Sequence, residues 1–312
     1  MTSPTPERLH TYQTPVYDST RWDGFKARAG DVIVCTPPKC GTTWTQMLCA
    51  MLVHDAPVLP RPLTEITRWL DRHTLPIEEM LAELEAQEGP RIIKTHTPLD
   101  GLPYFPEAQY VYCGRDPRDA YLSFGDHIAN LSPESLADFA RRAGQATWPE
   151  WPKDPNVMFP MWATQGAFPW MYDGAPGQSV LSFTETFWRF RHLPNILMIH
   201  YRDMTEDLDG EMRRLAAFLE IEVDEARWPE FLAAGSFANM KARADETAPN
   251  ADKGEWLSNA DFFRKARLDA WREALTPENQ ALYEEVNRER VDPKMKLWIE
   301  SGRRAAGDPR LI

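Results

Sequence analysis

A lysine, a glycine and two threonines follow one another just after a short β-branched run. Val32–Cys35 predicts a strand, and the pattern from Thr43 to Val53 predicts a helix soon after it. The turn between them holds Lys39 and Gly41, so backbone N–H groups, hydroxyls and one ammonium meet at the start of the helix. These donors suit a phosphate. Because Lys39 precedes the glycine instead of following it, the loop is not a Walker A motif.

The stretch Thr36-Pro37-Pro38-Lys39-Cys40-Gly41-Thr42-Thr43-Trp44 resembles the 5′-phosphosulfate loop of the cytosolic-type sulfotransferases, roughly T-x-P-K-x-G-T-T-W. That family uses 3′-phosphoadenosine 5′-phosphosulfate (PAPS) as sulfuryl donor. The resemblance implies that six consecutive residues bind the donor: Lys39, Cys40, Gly41, Thr42, Thr43 and Trp44. Cys40 stands where serine is usual. A helix N-terminus and the neighbouring lysine would lower its thiol pKa, and whether Cys40 is sensitive to oxidation stays open.

A histidine follows a second predicted strand, in Ile92-Ile93-Lys94-Thr95-His96-Thr97-Pro98-Leu99. An acceptor hydroxyl is a poor nucleophile until a neighbour takes its proton, and a neutral imidazole can do so. The run resembles the family's K-T-H-x-P-L motif, which implies that His96 is the catalytic base. With Lys39, Lys94 would offset charge that develops on the sulfonate and on the leaving phosphate.

An arginine at the exit of a third strand precedes a capped helix. Asp116 is the predicted N-cap and Pro117 the first helical residue, which places Ser123 two turns along. The run resembles the family's 3′-phosphate motif R-[ND]-x-[KR]-D-x-x-x-S. It implies that Arg115 and Ser123 bind the terminal phosphate, for which a guanidinium fork is suited.

Two further stretches resemble the family's adenine site. His200-Tyr201-Arg202-Asp203-Met204 resembles a strand that ends in Y-x-D-M, which implies that Tyr201 reaches the base. Gly235-Ser236-Phe237-Ala238-Asn239-Met240-Lys241 resembles T-S-F-x-x-M-K, with glycine in place of threonine. The resemblance implies that Phe237 packs on one face of the adenine and Trp44 on the other.

The last match is to the segment R-K-G-x-x-G-D-W, which closes over the 3′-phosphate. It implies that Arg264, Lys265 and Ala266 bind the donor. Ala266 and Asp269 replace both glycines, so backbone contacts that need close approach or positive φ are in question. The family's dimer-forming stretch is incomplete, and we do not predict that dimer.

The order of the elements predicts an α/β fold, a single domain over residues 1–312 with a mainly parallel sheet flanked by helices and a P-loop-like 5′-phosphosulfate loop. Ligands of such sheets bind beyond the carboxyl ends of the strands. Strands are predicted at 31–35, 91–95, 109–113 and 196–200, and helices at 43–53, 77–87, 117–128, 182–191, 207–219 and 278–288. Residues 1–20 are predicted to form an extended N-terminal segment.

Composition narrows the class of protein. The formal charge is −12, from 35 basic and 47 acidic residues, which argues against nucleic acid as a partner. No apolar run is long enough to span a membrane, and the first residues have no signal-peptide core, so we expect a cytoplasmic protein. The four cysteines and the scattered histidines show no metal-binding spacing, so no metal is expected.

The segment 141–180 is rich in tryptophan and proline without clear periodicity. It is either a surface excursion packed by its own aromatic side chains or, as we favour, an insertion on the acceptor side. The apolar residues expected to line an acceptor site are Trp69, Phe124, Trp151, Trp162, Phe168 and Trp170. The acceptor itself, a phenol, an alcohol or a glycolipid, stays open, as does the oligomeric state.

Together these observations predict in-line sulfuryl transfer from PAPS to a hydroxyl, with PAP, adenosine 3′,5′-bisphosphate, as product. The sequence of residues 94–102 resembles that of the bacterial, glycolipid-type branch of the family. Two alternatives remain: a P-loop-type kinase, against which the position of Lys39 stands, and a catalytically inactive nucleotide-binding homologue.

Overall fold

A computed structural model describes residues 5–177, 179–263 and 267–312 of the chain. In this part of the chain five parallel strands form one sheet, in the order β2-β3-β1-β4-β5. The strands are β1 Val32–Cys35, β2 Thr67–Trp69, β3 Ile92–Thr95, β4 Gln109–Gly114 and β5 Ile196–His200. The α/β fold with a helix-flanked parallel sheet, predicted from the sequence, is confirmed.

Helices cover both faces of the sheet and follow the strand ends. In chain order they are α1 Thr42–Val53, α2 Leu63–Ile66, α3 Ile77–Ala86, α4 Pro117–Ala129, α5 Pro133–Arg142, α6 Phe159–Thr164, α7 Leu181–Trp188, α8 Tyr201–Glu206, α9 Leu208–Phe218, α10 Trp228–Gly235, α11 Phe237–Ala242, α12 Ala244–Thr247, α13 Asn259–Phe262, α14 Trp271–Ala274, α15 Pro277–Asn287, α16 Pro293–Ser301 and α17 Arg303–Ala306. Short 3₁₀ turns lie at Ser19–Gly24, Leu99–Gly101 and Ala251–Lys253.

Strand alternation divides the interior into two apolar clusters, one on each side of the sheet. In β1, Ile33 and Cys35 belong to one cluster, and Val32 and Val34 belong to the other. All four residues are buried, as expected for a strand covered on both faces. The parallel pairing of β1 with β3 and β4 aligns the carboxyl ends of these strands, and so it places the loops that follow them at one edge of the sheet.

Four of the five strands and all six predicted helices are confirmed, with boundaries that differ by at most three residues. Strand β2 was not predicted, because three residues give too short a pattern to recognise. Its last residue, Trp69, lies beside Lys94 of β3 in the parallel register. The short edge strand therefore belongs to the chemistry of the site.

The N-terminal segment and the segment 141–180 both pack against the body of the protein. Tyr12 is buried and donates its hydroxyl to Asp100, which fixes the N-terminal segment. Within 141–180, helix α6 buries Phe159 and Trp162 in the core. Trp170 stacks on His10 at 4.3 Å between ring centroids.

Among the described residues, we find no helix with the length and apolar character needed to cross a membrane.

Candidate active site

One cavity lies at the carboxyl ends of the strands and gathers most of the predicted site residues. Those in its lining are Lys39, Gly41, Thr42, Thr43, Trp44, Lys94, His96, Arg115, Ser123, Tyr201 and Phe237. They come from the ends of β1, β3, β4 and β5 and from the helices that follow them. Parallel strands bring these distant parts of the chain to one edge of the sheet.

The loop between β1 and α1 turns sharply at two positions. Lys39 has a φ of 66° and Gly41 a φ of 88°, both in the left-handed region. A Cβ on Gly41 would lie 2.9 Å from the ring of Tyr201, so only glycine fits there. Gly41 is the N-cap of α1 and offers no side-chain cap. The first N–H groups of this 12-residue helix are therefore available to an anion.

Two lysines of the cavity have lowered pKa values, because their surroundings disfavour the charged form. Burial and the nearby charge of Arg115 lower the pKa of Lys39 to about 7. Burial and Arg72 likewise lower the pKa of Lys94 to about 7. The Lys94 ammonium lies 3.8 Å from the centroid of the Trp69 ring. A bound anion would restore the ordinary stability of both charges.

His96 is held as a neutral ring with one defined tautomer. Its Nδ1 lies 2.7 Å from the carbonyl oxygen of Thr36, so Nδ1–H donates and Nε2 carries the free lone pair. Burial, with the charge of Lys94, lowers the pKa of His96 well below its ordinary value. Trp69 packs edge-on against the ring at 4.8 Å. The ring can therefore accept a proton at Nε2.

A buried carboxylate, Asp71, lies behind the strand that carries Lys94 and His96. One oxygen of Asp71 accepts hydrogen bonds from the hydroxyls of Thr95 at 2.5 Å and Thr97 at 2.7 Å. The two threonines alternate with Lys94 and His96, so one side of this segment faces the cavity and the other is anchored. The sequence analysis did not single out Asp71.

Arg115 reaches the cavity with part of its hydrogen-bonding capacity unused. Its Nη1 donates to the carbonyl oxygen of Lys39 at 2.9 Å, and its guanidinium lies 4.4 Å from the centroid of Tyr201. The buried Nε has no partner among the described residues. Ser123 lies in the same wall, two turns into α4. An unpaired buried donor beside a cavity indicates a place for an acceptor group.

The other charged residues of this motif hold the chain together. Arg118 is buried, pairs with Asp116 at 2.8 Å and lies over the ring of Trp271 at 3.6 Å. Asp119 accepts hydrogen bonds from the backbone N–H groups of Asp269 and Trp271, at 2.8 and 3.2 Å. In this motif, Arg115 and Ser123 therefore line the cavity. Arg118 and Asp119 instead contact residues 269–271 and hold that segment in place.

Trp44, Tyr201 and Phe237 form an aromatic corner of the cavity. The Trp44 ring lies 5.6 Å from Tyr201 and 5.8 Å from Phe237, both edge-on. Its indole N–H donates to the carbonyl oxygen of Gly235 at 2.7 Å. Trp44 and Phe237 contact one another directly, so a base between their faces would require one ring to move.

The predicted donor ligands Arg264, Lys265 and Ala266 lie outside the described residues. Asp269, the second glycine replacement, has a φ of 59° and so keeps the left-handed backbone that a glycine would favour. Aspartate adopts this conformation more readily than most residues. Its carboxylate also pairs with Arg202 at 2.9 Å.

The expectation of a lowered thiol pKa for Cys40 was wrong. The thiol is fully buried and does not line the cavity. Burial raises the pKa of Cys40 to about 12, and the opposing charges of Arg115 and Lys39 do not reverse this. A buried, protonated thiol is a poor target for oxidation.

The apolar part of the cavity differs from the one expected. Trp162 lies in the core, and Phe168 and Trp170 stack on each other beside Tyr12, so none of the three lines the cavity. Trp151 borders a neighbouring cavity. Besides Trp69 and Phe124, the apolar wall is built by Val16, Ile128, Leu131, Phe139, Trp148, Pro249, Trp256 and Phe262. Most of these follow α4 or lie between α12 and α13, and no periodic signal marked them.

The sequence analysis also missed six polar residues of the lining: Arg72, Asp126, His127, Asn130, Glu255 and Asp261. Arg72 and Glu255 pair at 2.8 Å beside Trp69, and His127 contacts Lys39. His127 could have been found, because it follows Ser123 by four residues on a predicted helix and so shares its face.

In residues 5–177, 179–263 and 267–312, no three His, Cys, Asp or Glu side chains are grouped to hold a metal ion.

Comparison with known proteins agrees with this arrangement. The sequence model of the sulfotransferase domain matches residues 29–298. The chain belongs to the sulfotransferase family. Glycolipid sulfotransferases of Mycobacterium bovis and Mycobacterium tuberculosis are each 36% identical to this sulfotransferase over 94% of both chains. Cytosolic sulfotransferase 13 of Arabidopsis thaliana is 26% identical, over 90% of this chain and 84% of that protein.

Solved structures share the fold of this sulfotransferase. Mouse sulfotransferase SULT7A1, complexed with PAP, superposes with a TM-score of 0.63 at 21% identity, covering 87% of this chain and 88% of that one. Retinol dehydratase, in a complex with retinol and PAP, gives 0.63 at 22% identity and covers 88% of both chains. At these identities the likeness concerns the fold alone.

Proposed function

We propose that this sulfotransferase moves the sulfuryl group of PAPS to a hydroxyl of a glycolipid or another partly apolar acceptor, with His96 as general base. The observation that carries the proposal is the state of His96. Its Nδ1 is tied to Thr36, and its ring shares one cavity with two lysines that no salt bridge to a described residue neutralises.

The residues of the cavity fit a doubly phosphorylated nucleotide. The uncapped start of α1, with Lys39, Thr42 and Thr43, suits the phosphosulfate. Arg115, with its unpaired Nε, and Ser123 suit the 3′-phosphate. The protein carries a formal charge of −12, yet four basic residues line this cavity, Lys39, Arg72, Lys94 and Arg115, beside three acidic ones, Asp126, Glu255 and Asp261. The fit supports PAPS as donor, and so do relatives solved with PAP.

His96 would take the acceptor's proton at Nε2 as the acceptor oxygen bonds to sulfur. The bond from sulfur to the bridging oxygen breaks, and PAP leaves with that electron pair. The hydrogen bond from Nδ1–H to Thr36 keeps the ring oriented and supports the imidazolium that forms. Lys39 and Lys94 would offset the negative charge that develops during transfer, as preorganised cations do.

The acceptor side of the cavity suits a molecule with an apolar part. Ile128, Leu131, Phe139, Trp148 and Trp256 form a continuous apolar wall beyond the reacting groups. The mycobacterial relatives are named glycolipid sulfotransferases, which supports a lipid-linked hydroxyl as acceptor. Trp162, Phe168 and Trp170 have no part in this proposal.

The decisive experiment pairs an activity measurement with nucleotide binding. His96→Ala should lower transfer of labelled sulfate from PAPS by about two to four orders of magnitude, because the base is lost. Its affinity for PAP, measured by calorimetry, should remain close to that of the unaltered protein. His192→Ala, on an exposed histidine, is the matched control and should keep full activity.

Each of three results would refute part of the proposal. A His96→Ala protein with most of its activity would remove His96 as base. Binding of ATP in preference to PAP would favour the kinase alternative. PAP binding without transfer to any hydroxylated acceptor would favour the inactive homologue.

A further inference from the structure

One histidine of the cavity faces the loop lysine instead of the predicted acceptor position. His127 lies in the last turn of α4, four residues after Ser123 and on the same face of the helix. Its Nδ1 is 3.3 Å from the Nζ of Lys39. Among the described residues, His127 is the side chain that forms a hydrogen bond with the Lys39 ammonium.

Aromatic side chains surround both partners of this contact. The His127 ring packs against Trp256 at 5.0 Å and Phe262 at 6.2 Å between centroids. The Lys39 ammonium lies 4.8 Å from the centroid of the same Phe262 ring. These contacts hold the plane of the imidazole beside the ammonium, and in the structure Nδ1 is the ring atom that faces the lysine.

The charges around the pair favour a neutral imidazole as the partner. Burial, together with the charges of Lys39 and Lys94, lowers the pKa of His127 well below its ordinary value. A neutral ring with its proton on Nε2 accepts at Nδ1, whereas an imidazolium could only donate and would repel the ammonium. Lys39 forms no salt bridge with a described residue, so His127 is its polar anchor.

We infer that His127 is a positioning residue, which orients the Lys39 ammonium toward the transferring group by accepting its hydrogen bond. The inference rests on the proposed role of Lys39 in sulfuryl transfer. Helix α4 would then have two roles besides lining the acceptor side of the cavity. Ser123 would contact the nucleotide, and His127 would orient the lysine.

A double-mutant cycle in single-turnover kinetics tests this inference. His127→Phe keeps an aromatic ring beside Trp256 and Phe262 but removes the acceptor atom. We expect it to lower the transfer rate about tenfold, with little change in acceptor KM. Lys39→Met should cost about two to three orders of magnitude. In the Lys39→Met protein, the added His127→Phe should cost almost nothing, because its effect acts through the lysine.

Matched controls separate this result from a general loss of structure. His54→Phe makes the same chemical change at an exposed position after α1 and should leave the rate unchanged. His127→Gln, which retains an acceptor oxygen, should recover part of the rate lost in His127→Phe.

The outcomes distinguish this inference from the proposed function. If the two substitutions are additive, or if His127→Phe changes only acceptor KM, His127 acts on the acceptor and the inference is wrong. If Lys39→Met keeps full activity, the proposed role of Lys39 fails instead, and the inference fails with it.

Discussion

Burial destabilises the charged forms of Lys39 and Lys94, and a bound anion would relieve this. Burial comes first among the causes, and the positive charges of Arg115 and Arg72 add to it. A group whose pKa is lowered to about 7 is mostly neutral at pH 8. A doubly phosphorylated ligand favours the charged form and raises both pKa values again. The two lysines proposed to bind the donor should therefore change their own protonation when it binds.

We predict that PAP binding takes up protons at pH 8 and takes up fewer at pH 6, where both lysines already carry their proton. Calorimetric titration in two buffers with different ionisation enthalpies measures this uptake directly. Lys39→Met should reduce the uptake at pH 8, and the affinity of the unaltered protein for PAP should fall as the pH rises through 7. Equal heats in the two buffers at pH 8 would show that the lysines do not titrate on binding.

At the scale of elements, helix α4 connects the cavity wall that contains Ser123 to Asp269 and Trp271. Asp119, in its first turn, accepts the backbone N–H groups of Asp269 and Trp271. Asp269 can occupy its left-handed position without a glycine, because its backbone is held from one side and its carboxylate pairs with Arg202 on the other. Position 269 therefore keeps a left-handed backbone although the residue there is not a glycine.

This explanation predicts different stabilities for two substitutions at one position. Asp269→Ala should be less stable than Asp269→Gly by about 1–2 kcal/mol, since only the alanine is penalised for a φ of 59°. Both lose the partly exposed ion pair with Arg202, which is worth at most about 1 kcal/mol. Urea unfolding gives the two free energies. Equal stabilities for Ala and Gly would mean that the left-handed backbone is not maintained.

The sequence predicted elements well where a strong local pattern existed. The β-branched runs at 92–95 and 196–200 gave strands, and Asp116 with Pro117 gave the start of α4. Strand β2 and the apolar wall around Trp256 gave no periodic signal, because they depend on contacts with distant parts of the chain. Cys40 was misjudged for a similar reason, since burial outweighs the neighbouring charges.

On the scale of the whole molecule, the cavity is assembled from parts of the chain that lie far apart in sequence. Val16, the end of α4, Trp148 and the residues around Trp256 all reach the same space. Backbone contacts tie two of these parts together, because Leu257 donates to the carbonyl of Asn130 at 2.8 Å. A ligand in the cavity would therefore contact several segments that are distant in sequence.

Binding of PAP should stabilise the protein as one unit. At about 100 times its Kd, a ligand adds about 2.7 kcal/mol to the free energy of unfolding. For a chain of 312 residues this corresponds to a rise in Tm of about 4 °C. Scanning calorimetry measures the shift, and adenosine 5′-phosphate at the same concentration should give a smaller one. The absence of any shift with PAP would contradict a nucleotide site in this cavity.

The anchoring of Thr95 and Thr97 on Asp71 has a consequence for how this enzyme can change. Reactive and anchoring side chains alternate over four consecutive residues, so a single inserted or deleted residue before Lys94 would exchange the two sets. The two threonines would then face the cavity, and the imidazole of His96 would lie against the buried side chain of Asp71. The apolar side chains that follow α4 in the cavity lining lie outside this alternation, so replacement of one of them by another apolar side chain leaves it undisturbed.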